Sequence, residues 1–205
     1  MNPLTEQFGN IDIYLFDQLL KGRFHSCQDI LDAGCGGGRN IIYFLQQGKN
    51  VYGVDQNPRA IDAVRDLAKE LAPELPASNF QQAELSHLNF SDQRFDLILC
   101  SAVLHFAQHA DHFDQMIRAM WRHLREGGYF FARLASTIGI ETLVEEKGNG
   151  RYLLPDGSER YLVDLTSLLH YTFELGGELF EPIKTTNVQN LRAMTTWCIS
   201  KPKRT

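Results

Sequence analysis

Short apolar runs alternate with stretches of helical period through the first two thirds of the chain. Five runs have the composition of buried strands, at residues 29–34, 50–55, 78–85, 94–101 and 129–135. Between them, apolar residues recur three and four positions apart, which indicates helices. Strands that alternate with helices predict an α/β fold with a doubly wound, mostly parallel sheet. Ligands of such sheets bind beyond the carboxyl ends of the strands.

Three of these helices are marked by their ends as well as by their apolar faces. The first covers 39–47 and stops at Gly48, which suits a left-handed helix end. The second starts at Asn57, a capping residue that a proline follows. The third is predicted to be capped by Asp111 and to run to the glycine pair that starts at Gly127.

The C-terminal third has a different pattern. Residues 150–163 place a Pro-Asp-Gly turn between two β-like runs, which predicts a hairpin in an insertion over 137–165 that covers a site. Asp164 is expected to cap a helix. The last runs, 178–186 and 191–200, are joined by a short turn, so we expect that pair of strands to be antiparallel.

One more amphipathic pattern lies near the start of the chain. Residues 8–22 place four apolar side chains on one stripe, which predicts a helix within an N-terminal segment 1–25. Such a helix packs on the edge of the sheet or over the carboxyl ends of its strands, where a ligand would enter. Cover of the core is favoured over a role in substrate binding.

Composition and charge narrow the function to small molecules. With 205 residues, 43% of them apolar, the chain is expected to form a single domain over 1–205. A formal charge of -5 disfavours binding to nucleic acid or to an anionic membrane. No secretory leader or long apolar run is visible, so we expect a cytoplasmic location. The cysteines lack C-x-x-C spacing and are expected to be reduced; they are Cys27, Cys35, Cys100 and Cys198.

The candidate chemistry begins at "ILDAGCGGGRN", residues 30–40. A strand that enters a helix through a glycine-rich turn presents free backbone N–H groups and lets a ligand approach closely. The dinucleotide pattern G-x-G-x-x-G needs its third glycine at position 39, where the chain has Arg39. The stretch instead reads D-x-G-x-G-x-G, with Asp32, Gly34, Gly36 and Gly38.

This pattern resembles the first motif of the class I S-adenosylmethionine-dependent methyltransferases, and the resemblance covers roughly residues 29–134. It implies a Rossmann-like, seven-stranded sheet whose last strand is antiparallel. It also implies S-adenosylmethionine as the methyl donor and S-adenosylhomocysteine as the product. Within the class, "GCGGGRN" is similar to the small-molecule branch of tellurite-resistance and thiopurine-type enzymes, a match that rests on Arg39 and Asn40.

Further positions match the family's cofactor site. Asp55 ends the second strand, where an acid accepts hydrogen bonds from both ribose hydroxyls. Glu84 and Leu85 fall where the family holds the adenine, although Glu84 replaces the usual Asp and Asn89 stands at a proline position. The cofactor residues that the resemblance implies are Asp32, Gly34, Cys35, Gly36, Gly38, Asn40, Asp55, Gln56, Glu84, Leu85 and Ser101.

The acceptor side is marked by His105, which follows the fourth strand. It is the candidate catalytic residue, either as a general base or as part of the substrate-binding wall. Together with His109, Asp111 and His112 it can also be interpreted as a metal site. Because the family chemistry needs no metal, we predict that no metal is bound.

The segment after the fourth strand argues against exocyclic amino groups and cytosine as substrates. "CSAV" stands where methyltransferases of exocyclic amino groups carry N/D-P-P-Y/F, and Cys100 lacks the proline that accompanies a cytosine-methylating nucleophile. Arg133 and Ser136, beyond the fifth strand, are candidates for holding an anionic substrate. A surface ion pair explains Arg133 equally well.

These observations together predict methyl transfer from S-adenosylmethionine to an oxygen, nitrogen or sulfur atom of a small molecule. The positive sulfur already activates the methyl group, so the protein mainly has to align the reactants and exclude water. The alternative is a module that binds the cofactor without catalysis and acts in regulation or partner binding. A nicotinamide oxidoreductase is a third interpretation. The acceptor and a homodimeric state stay open.

Overall fold

The computed structural model of this protein describes residues 3–203; residues 1–2 and 204–205, at the ends of the predicted single domain, lie outside the described residues. The strands are β1 (Asp29–Ala33), β2 (Asn50–Asp55), β3 (Phe80–Gln82), β4 (Phe95–Ser101), β5 (Leu124–Ser136), β6 (Glu145–Gly148), β7 (Arg151–Leu153), β8 (Glu159–Tyr161), β9 (Glu178–Leu179), β10 (Lys184–Val188) and β11 (Arg192–Ser200). The helices are α1 (Pro3–Phe8), α2 (Ile13–Leu20), α3 (Ile42–Gln46), α4 (Pro58–Leu71), α5 (Ala110–His123) and α6 (Leu165–Glu174).

The central sheet has the strand order β10-β11-β5-β4-β1-β2-β3, and the short β9 also pairs with β11. Strands β1 to β5 are parallel to one another, whereas β11 is antiparallel to β5 and to β10. The predicted doubly wound sheet with an antiparallel last strand is therefore confirmed. The direction of winding reverses between β1 and β4, and a crevice forms where the crossovers diverge at such a point.

Apolar side chains cover both faces of this sheet. Along β1, Ile30 belongs to the layer under α4 and Leu31 to the layer under α5. Both side chains are fully buried. Burial on both faces explains why the strands appear in the sequence as continuous apolar runs rather than as alternating ones.

The predicted helix over 8–22 is too long, because only α2 (Ile13–Leu20) forms inside that range, whereas α1 (Pro3–Phe8) ends where the range begins. Gly9 has a φ of +59° and ends α1. Asp12 then caps α2, since its side chain accepts hydrogen bonds from the backbone N–H groups of Tyr14 and Leu15. A short acid prefers this capping position to a helix interior, so the chain turns there and starts a new helix.

Other element ends also differ from the prediction. α5 is capped by His109, whose ring accepts a hydrogen bond from the backbone of His112, and not by Asp111. The same helix ends at His123 instead of Gly127, because the next residues already pair with β4. The run 178–186 is divided into β9 and β10, and Pro182, which has no N–H to donate, lies between them.

The insertion after β5 forms a separate three-stranded antiparallel sheet of β6, β7 and β8. The β7–β8 pair is the predicted hairpin, and β6 adds one strand to it. Arg151 of β7 donates a hydrogen bond of 2.9 Å from Nη1 to the backbone oxygen of Ala107. The insertion is thereby attached to the loop that follows β4, at the carboxyl edge of the central sheet.

None of the helices formed by residues 3–203 combines the length and the apolar composition that a transmembrane span requires.

Candidate active site

The glycine loop after β1 is held against β2 by its own backbone. The N–H groups of Gly34 and Cys35 both donate to the backbone oxygen of Val54, at 2.8 and 2.9 Å. Gly34, Gly36 and Gly38 have φ angles of +81°, +51° and +85°, a region in which side chains are strained. The loop therefore needs glycine at each of the three predicted positions for its backbone conformation alone.

Two of the three glycines are also needed because neighbouring side chains lie close. A Cβ at Gly34 would lie 2.3 Å from Cγ2 of Val103, and one at Gly38 would lie 2.7 Å from Cδ2 of Leu67. A Cβ at Gly36 would meet nothing within 4 Å. The open space in this loop is therefore at Gly36, where a ligand can approach the backbone.

Asp55 closes this open space from the side of β2. Its Oδ2 accepts a hydrogen bond of 2.9 Å from the backbone N–H of Gly36, and its Oδ1 accepts one of 2.9 Å from the N–H of Asn57. Each carboxylate oxygen has a second lone pair, so the group can still accept bonds from a ligand. Gln56, next in the chain, is exposed.

Asp32 is the most unusual group at the site. Its side chain is 1% exposed, and neither carboxyl oxygen has a hydrogen-bond partner among residues 3–203. Burial, with a smaller contribution from the negative charge of Asp55 and against the opposing charge of Arg39, raises the pKa of this carboxyl to about 7. A buried carboxyl without a partner is costly. A cationic ligand group beside the glycine loop would supply the missing partner.

Glu84 and Leu85 lie beside the same site, at the start of a 3-10 turn over Leu85–His87. The preceding residue, Ala83, donates a backbone hydrogen bond of 3.1 Å to the oxygen of Asp55, which fixes this segment next to the end of β2. Leu85 is buried, whereas Glu84 is exposed. The structure thus brings the positions that the resemblance assigns to adenine next to Asp55.

Ser101 and Asn40 contact the protein's own N-terminal segment through Asp12. Oδ2 of Asp12 accepts hydrogen bonds from Oγ of Ser101 (3.2 Å) and Nη1 of Arg133 (2.9 Å). The backbone N–H of Asp12 donates to Oδ1 of Asn40 at 3.0 Å, and Nη2 of Arg39 lies 3.9 Å from Oδ2 of Asp12. We call these five residues the Asp12 network.

Asp12 itself is missing from the sequence prediction. Its carboxylate is buried, with 2% of the residue exposed, yet it stands 121 positions before its partner Arg133. The only sequence sign of its importance is a short acid at a position where an apolar helical stripe was expected. Its network joins the glycine loop, the end of β4 and the C-terminal part of β5 to the start of α2.

The loop after β4 lies between the glycine loop and His105, the residues predicted for the cofactor side and the acceptor side. Val103 of this loop packs against Gly34, while Ala102 has a φ of +64°, which is strained for a residue with a side chain. The backbone N–H of Ala102 donates to the oxygen of Arg133 at 2.7 Å. His105 lies one turn further on and is 7% exposed.

The protonation of His105 follows from its surroundings. Burial, together with the positive charges of Arg160 and Arg192, lowers the pKa of the imidazole to about 4. The ring is therefore neutral near pH 7. Its Nδ1 lies 3.3 Å from the backbone N–H of Ala135, which donates to it. Since Nδ1 is the acceptor, the proton of the neutral ring is on Nε2, which makes that nitrogen a hydrogen-bond donor.

A cavity of about 410 Å³ opens beside His105. Its walls come from the loop after β4, β5, the inserted sheet and the β10–β11 hairpin, and they consist of Ala102, His105, Arg133, Ala135, Leu154, Asp156, Ser158, Arg160, Val188, Arg192 and Met194. The volume is in the range of small-molecule sites. Another cavity, of about 480 Å³, lies near Trp121 and Lys201. It is at the end of the sheet where β5 begins, away from the glycine loop.

The two candidates for anion binding differ in the contacts that they already make. Ser136 is fully buried, and its hydroxyl is hydrogen-bonded to that of Thr195 at 2.6 Å. Arg133 lines the cavity, but its Nη1 is paired with Asp12. The guanidinium groups of the cavity that sequence reasoning missed are Arg160 and Arg192, which the inserted sheet and β11 contribute.

His109 and His112, the other two histidines of the candidate metal site, and Cys35 contact only other parts of the protein. His109 accepts from the backbone of His112, whose Nδ1 in turn accepts from the N–H of Gln108, so both rings organise the start of α5. No group of three or more potential metal ligands is found within residues 3–203. Cys35 is a buried free cysteine whose pKa is strongly raised by burial, and it packs against Gly53.

Comparison with known proteins agrees with this geometry. A family model described as a methyltransferase domain matches residues 31–132. An uncharacterised methyltransferase of Synechocystis is 31% identical over 103 residues, which are 50% of this chain and 45% of that protein. A ubiquinone biosynthesis O-methyltransferase of Coxiella burnetii is 28% identical over 158 residues, covering 72% of this chain and 60% of its own length. The chain thus spans about half of the length of these relatives.

A solved structure shares the fold as a whole. The crystal structure of an S-adenosylmethionine-dependent methyltransferase from Methanosarcina mazei superposes with a TM-score of 0.72 at 18% identity, covering 90% of this chain and 98% of that one. With its glycine loop, its strand order and its matched domain, the chain belongs to the class I S-adenosylmethionine-dependent methyltransferases. The narrower resemblance to the tellurite-resistance and thiopurine-type branch stays a prediction.

Proposed function

We propose that this protein transfers a methyl group from S-adenosylmethionine to an oxygen, nitrogen or sulfur atom of a small molecule. The observation that carries the proposal is the unpaired, buried carboxyl of Asp32 beside the open backbone at Gly36, with Asp55 next to both. When bound, S-adenosylmethionine supplies a methyl group on a positively charged sulfur, which is ready for attack. The relatives of this chain that carry functional names include small-molecule O-methyltransferases.

The residues of the cofactor side fit the parts of that molecule. Asp32 would face its ammonium group, because a buried carboxyl without a partner is stabilised by a cation. Asp55 would accept hydrogen bonds from the ribose hydroxyls, and Glu84 and Leu85 would hold the adenine amino group and ring. The free approach to Gly36 would let the ligand lie against the backbone N–H groups of the loop.

The acceptor would bind in the cavity beside His105. Because the neutral ring carries its proton on Nε2, we propose that His105 donates a hydrogen bond to the acceptor instead of removing a proton from it. Alignment of the acceptor atom with the methyl group and exclusion of water would then supply most of the acceleration.

The direct test is transfer of label from methyl-labelled S-adenosylmethionine to a panel of small phenols, amines, thiols and carboxylic acids. Labelled product that requires the protein is the expected result. Tight binding of S-adenosylhomocysteine without transfer to any acceptor would favour the alternative, a module that binds the cofactor but is catalytically silent.

Replacing Asp55 with alanine is expected to weaken binding of S-adenosylhomocysteine by about 1.5 to 3 kcal/mol, through loss of charge-assisted hydrogen bonds to ribose and loosening of the loop at Gly36. Isothermal titration calorimetry measures this change. Asp62→Ala, which removes an exposed acid of α4 that lies 3.8 Å from Arg65, is the matched control and should bind as the wild type does. Equal affinities for Asp55→Ala and the control would exclude Asp55 from the ribose site.

His105 variants separate a donor from a base. His105→Ala should lower kcat/KM by about 3- to 10-fold, the effect of one hydrogen bond, whereas His105→Gln keeps an N–H near the position of Nε2 and should retain most activity. Since the pKa of about 4 leaves the ring neutral at higher pH, the pH profile from about 5.5 to 8.5 should be the same for wild type and His105→Gln. A wild-type inflection near neutrality that His105→Gln abolishes would identify His105 as the base.

A further inference from the structure

The cavity beside His105 contains more positive charge than its acids neutralise. Three guanidinium groups line it, those of Arg133, Arg160 and Arg192, together with one carboxylate, that of Asp156. The charge of Arg133 is balanced outside the cavity by Asp12, at 2.9 Å. The other two arginines therefore decide what kind of ligand the cavity attracts.

Arg160 is available to a ligand. Its Nη1 donates to the backbone oxygen of Glu159 at 2.8 Å, and its guanidinium lies 5.0 Å from the centre of the Phe106 ring. Within residues 3–203, no carboxylate forms an ion pair with it. Stacking on an aromatic ring orients a guanidinium while leaving its edge free, and that edge is the part that binds a carboxylate through two hydrogen bonds.

Arg192 forms only a weak ion pair within the protein. Its Nη1 lies 4.0 Å from Oδ2 of Asp156, at the outer limit of an ion pair, and 55% of its side chain is exposed. The other oxygen of Asp156, Oδ1, accepts hydrogen bonds from the backbone N–H and the hydroxyl of Ser158, at 2.9 and 2.6 Å. These bonds, more than the arginines, keep the pKa of Asp156 below its usual range. The carboxylate of Asp156 is thus stabilised mainly by Ser158, in the same turn.

The other residues of the cavity wall indicate which further groups the ligand has. His105 is held neutral with Nε2 as a donor, so it adds a hydrogen bond without competing for the anion's charge. Leu154, Val188 and Met194 supply apolar surface. Methionine packs well against rings.

We propose that the acceptor is a small carboxylate with an apolar, ring-sized body, whose carboxylate is bound by Arg160 and Arg192. This inference rests on the proposed function, since it names the substrate class of the same site. It differs from the sequence-based prediction in assigning the anion to the inserted sheet and β11 instead of to Arg133 and Ser136.

The test compares carboxylates with their uncharged amides. Benzoate, 4-hydroxybenzoate and indole-3-acetate, each beside its amide, are titrated by protein-observed NMR into the full chain saturated with S-adenosylhomocysteine. The variant is Arg160→Met with Arg192→Met, which keeps an unbranched apolar stem at each position and removes both charges. Arg118→Met is the control, because it removes an exposed guanidinium of α5 that is paired with Asp114 at 2.8 Å.

We expect at least one carboxylate to bind the wild type about tenfold more tightly than its amide, and this preference to be lost in the double variant but kept in Arg118→Met. Carboxylates and amides that bind equally, carboxylates that do not bind at all, or a preference that persists in the double variant would each overturn the inference. Thermal unfolding of each variant confirms that it is folded.

Failure of the proposed function has a separate readout. If S-adenosylhomocysteine does not bind, the proposed function falls, and the same titrations without it still show whether the cavity selects carboxylates. If label is transferred, but only to uncharged acceptors, the function stands and the carboxylate inference falls.

Discussion

Replacing Gly34 with alanine is expected to lower the affinity for S-adenosylhomocysteine by about 100-fold or more. The added Cβ would lie 2.3 Å from Cγ2 of Val103, a separation that requires the loop after β4 to move. The φ of +81° adds strain of about 1 to 2 kcal/mol for any side chain. Because the backbone of Gly34 is bonded to Val54 of β2, the loop cannot move away on its own side without losing that bond.

Calorimetry with S-adenosylhomocysteine measures the loss, and two variants isolate its cause. Gly48→Ala places a side chain at a φ of +66° with nothing within 4 Å, so it carries the strain without the clash and should bind normally. Gly34→Ala combined with Val103→Ala removes the conflicting methyl groups and should recover part of the affinity. If Gly34→Ala bound as tightly as Gly48→Ala, close packing at Val103 would not be what the site requires.

Replacing Asp12 with alanine is expected to destabilise the fold by about 3 kcal/mol, because a buried carboxylate is removed and Arg133 loses its partner. The same change removes the cap of α2, which alone is worth about 1 kcal/mol. For a chain of this size the midpoint of thermal unfolding should fall by about 6 to 12 °C. Differential scanning fluorimetry or calorimetry measures the shift.

The matched control is Asp17→Ala on the same helix. Asp17 is paired with Lys21 at 2.8 Å, but 39% of its side chain is exposed, so its loss should lower the midpoint far less. Arg133→Met in the Asp12→Ala background removes the unpaired charge and should restore part of the stability. Equal shifts for Asp12→Ala and Asp17→Ala would show that burial of the Asp12 network contributes little to the fold.

The sheet and the glycine loop were predictable because their signals are local. The run 94–101 is apolar at consecutive positions and becomes the buried β4, and Asn57 before a proline becomes the cap of α4. The loop glycines could be placed because three positive φ angles in five residues leave almost no other residue type. Such features are decided by neighbours in the chain, so the sequence displays them directly.

The features that were missed depend on distant contacts. Asp12 is important because the fold brings Arg133 to it, and nothing in residues 8–22 indicates that partner. Arg160 and Arg192 belong to elements that meet only when the inserted sheet packs beside β11. The helix cap at His109 was misassigned because Asp111, two positions later, has the stronger intrinsic preference. Long-range contacts thus decided the roles of Asp12 and the two arginines, whereas the cap at His109 was decided by a local bond from the backbone of His112.

The loop after β4 serves both halves of the site, but the walls on its two sides have different origins. The proposed cofactor side is built from β1, β2 and their connections, at the centre of the sheet. The far wall of the proposed acceptor cavity comes from the insertion and from the β10–β11 hairpin, at the periphery of the sheet. The proposed assignment therefore predicts that exchange of the insertion, in evolution or by design, changes the acceptor preference and leaves the binding of the methyl donor intact.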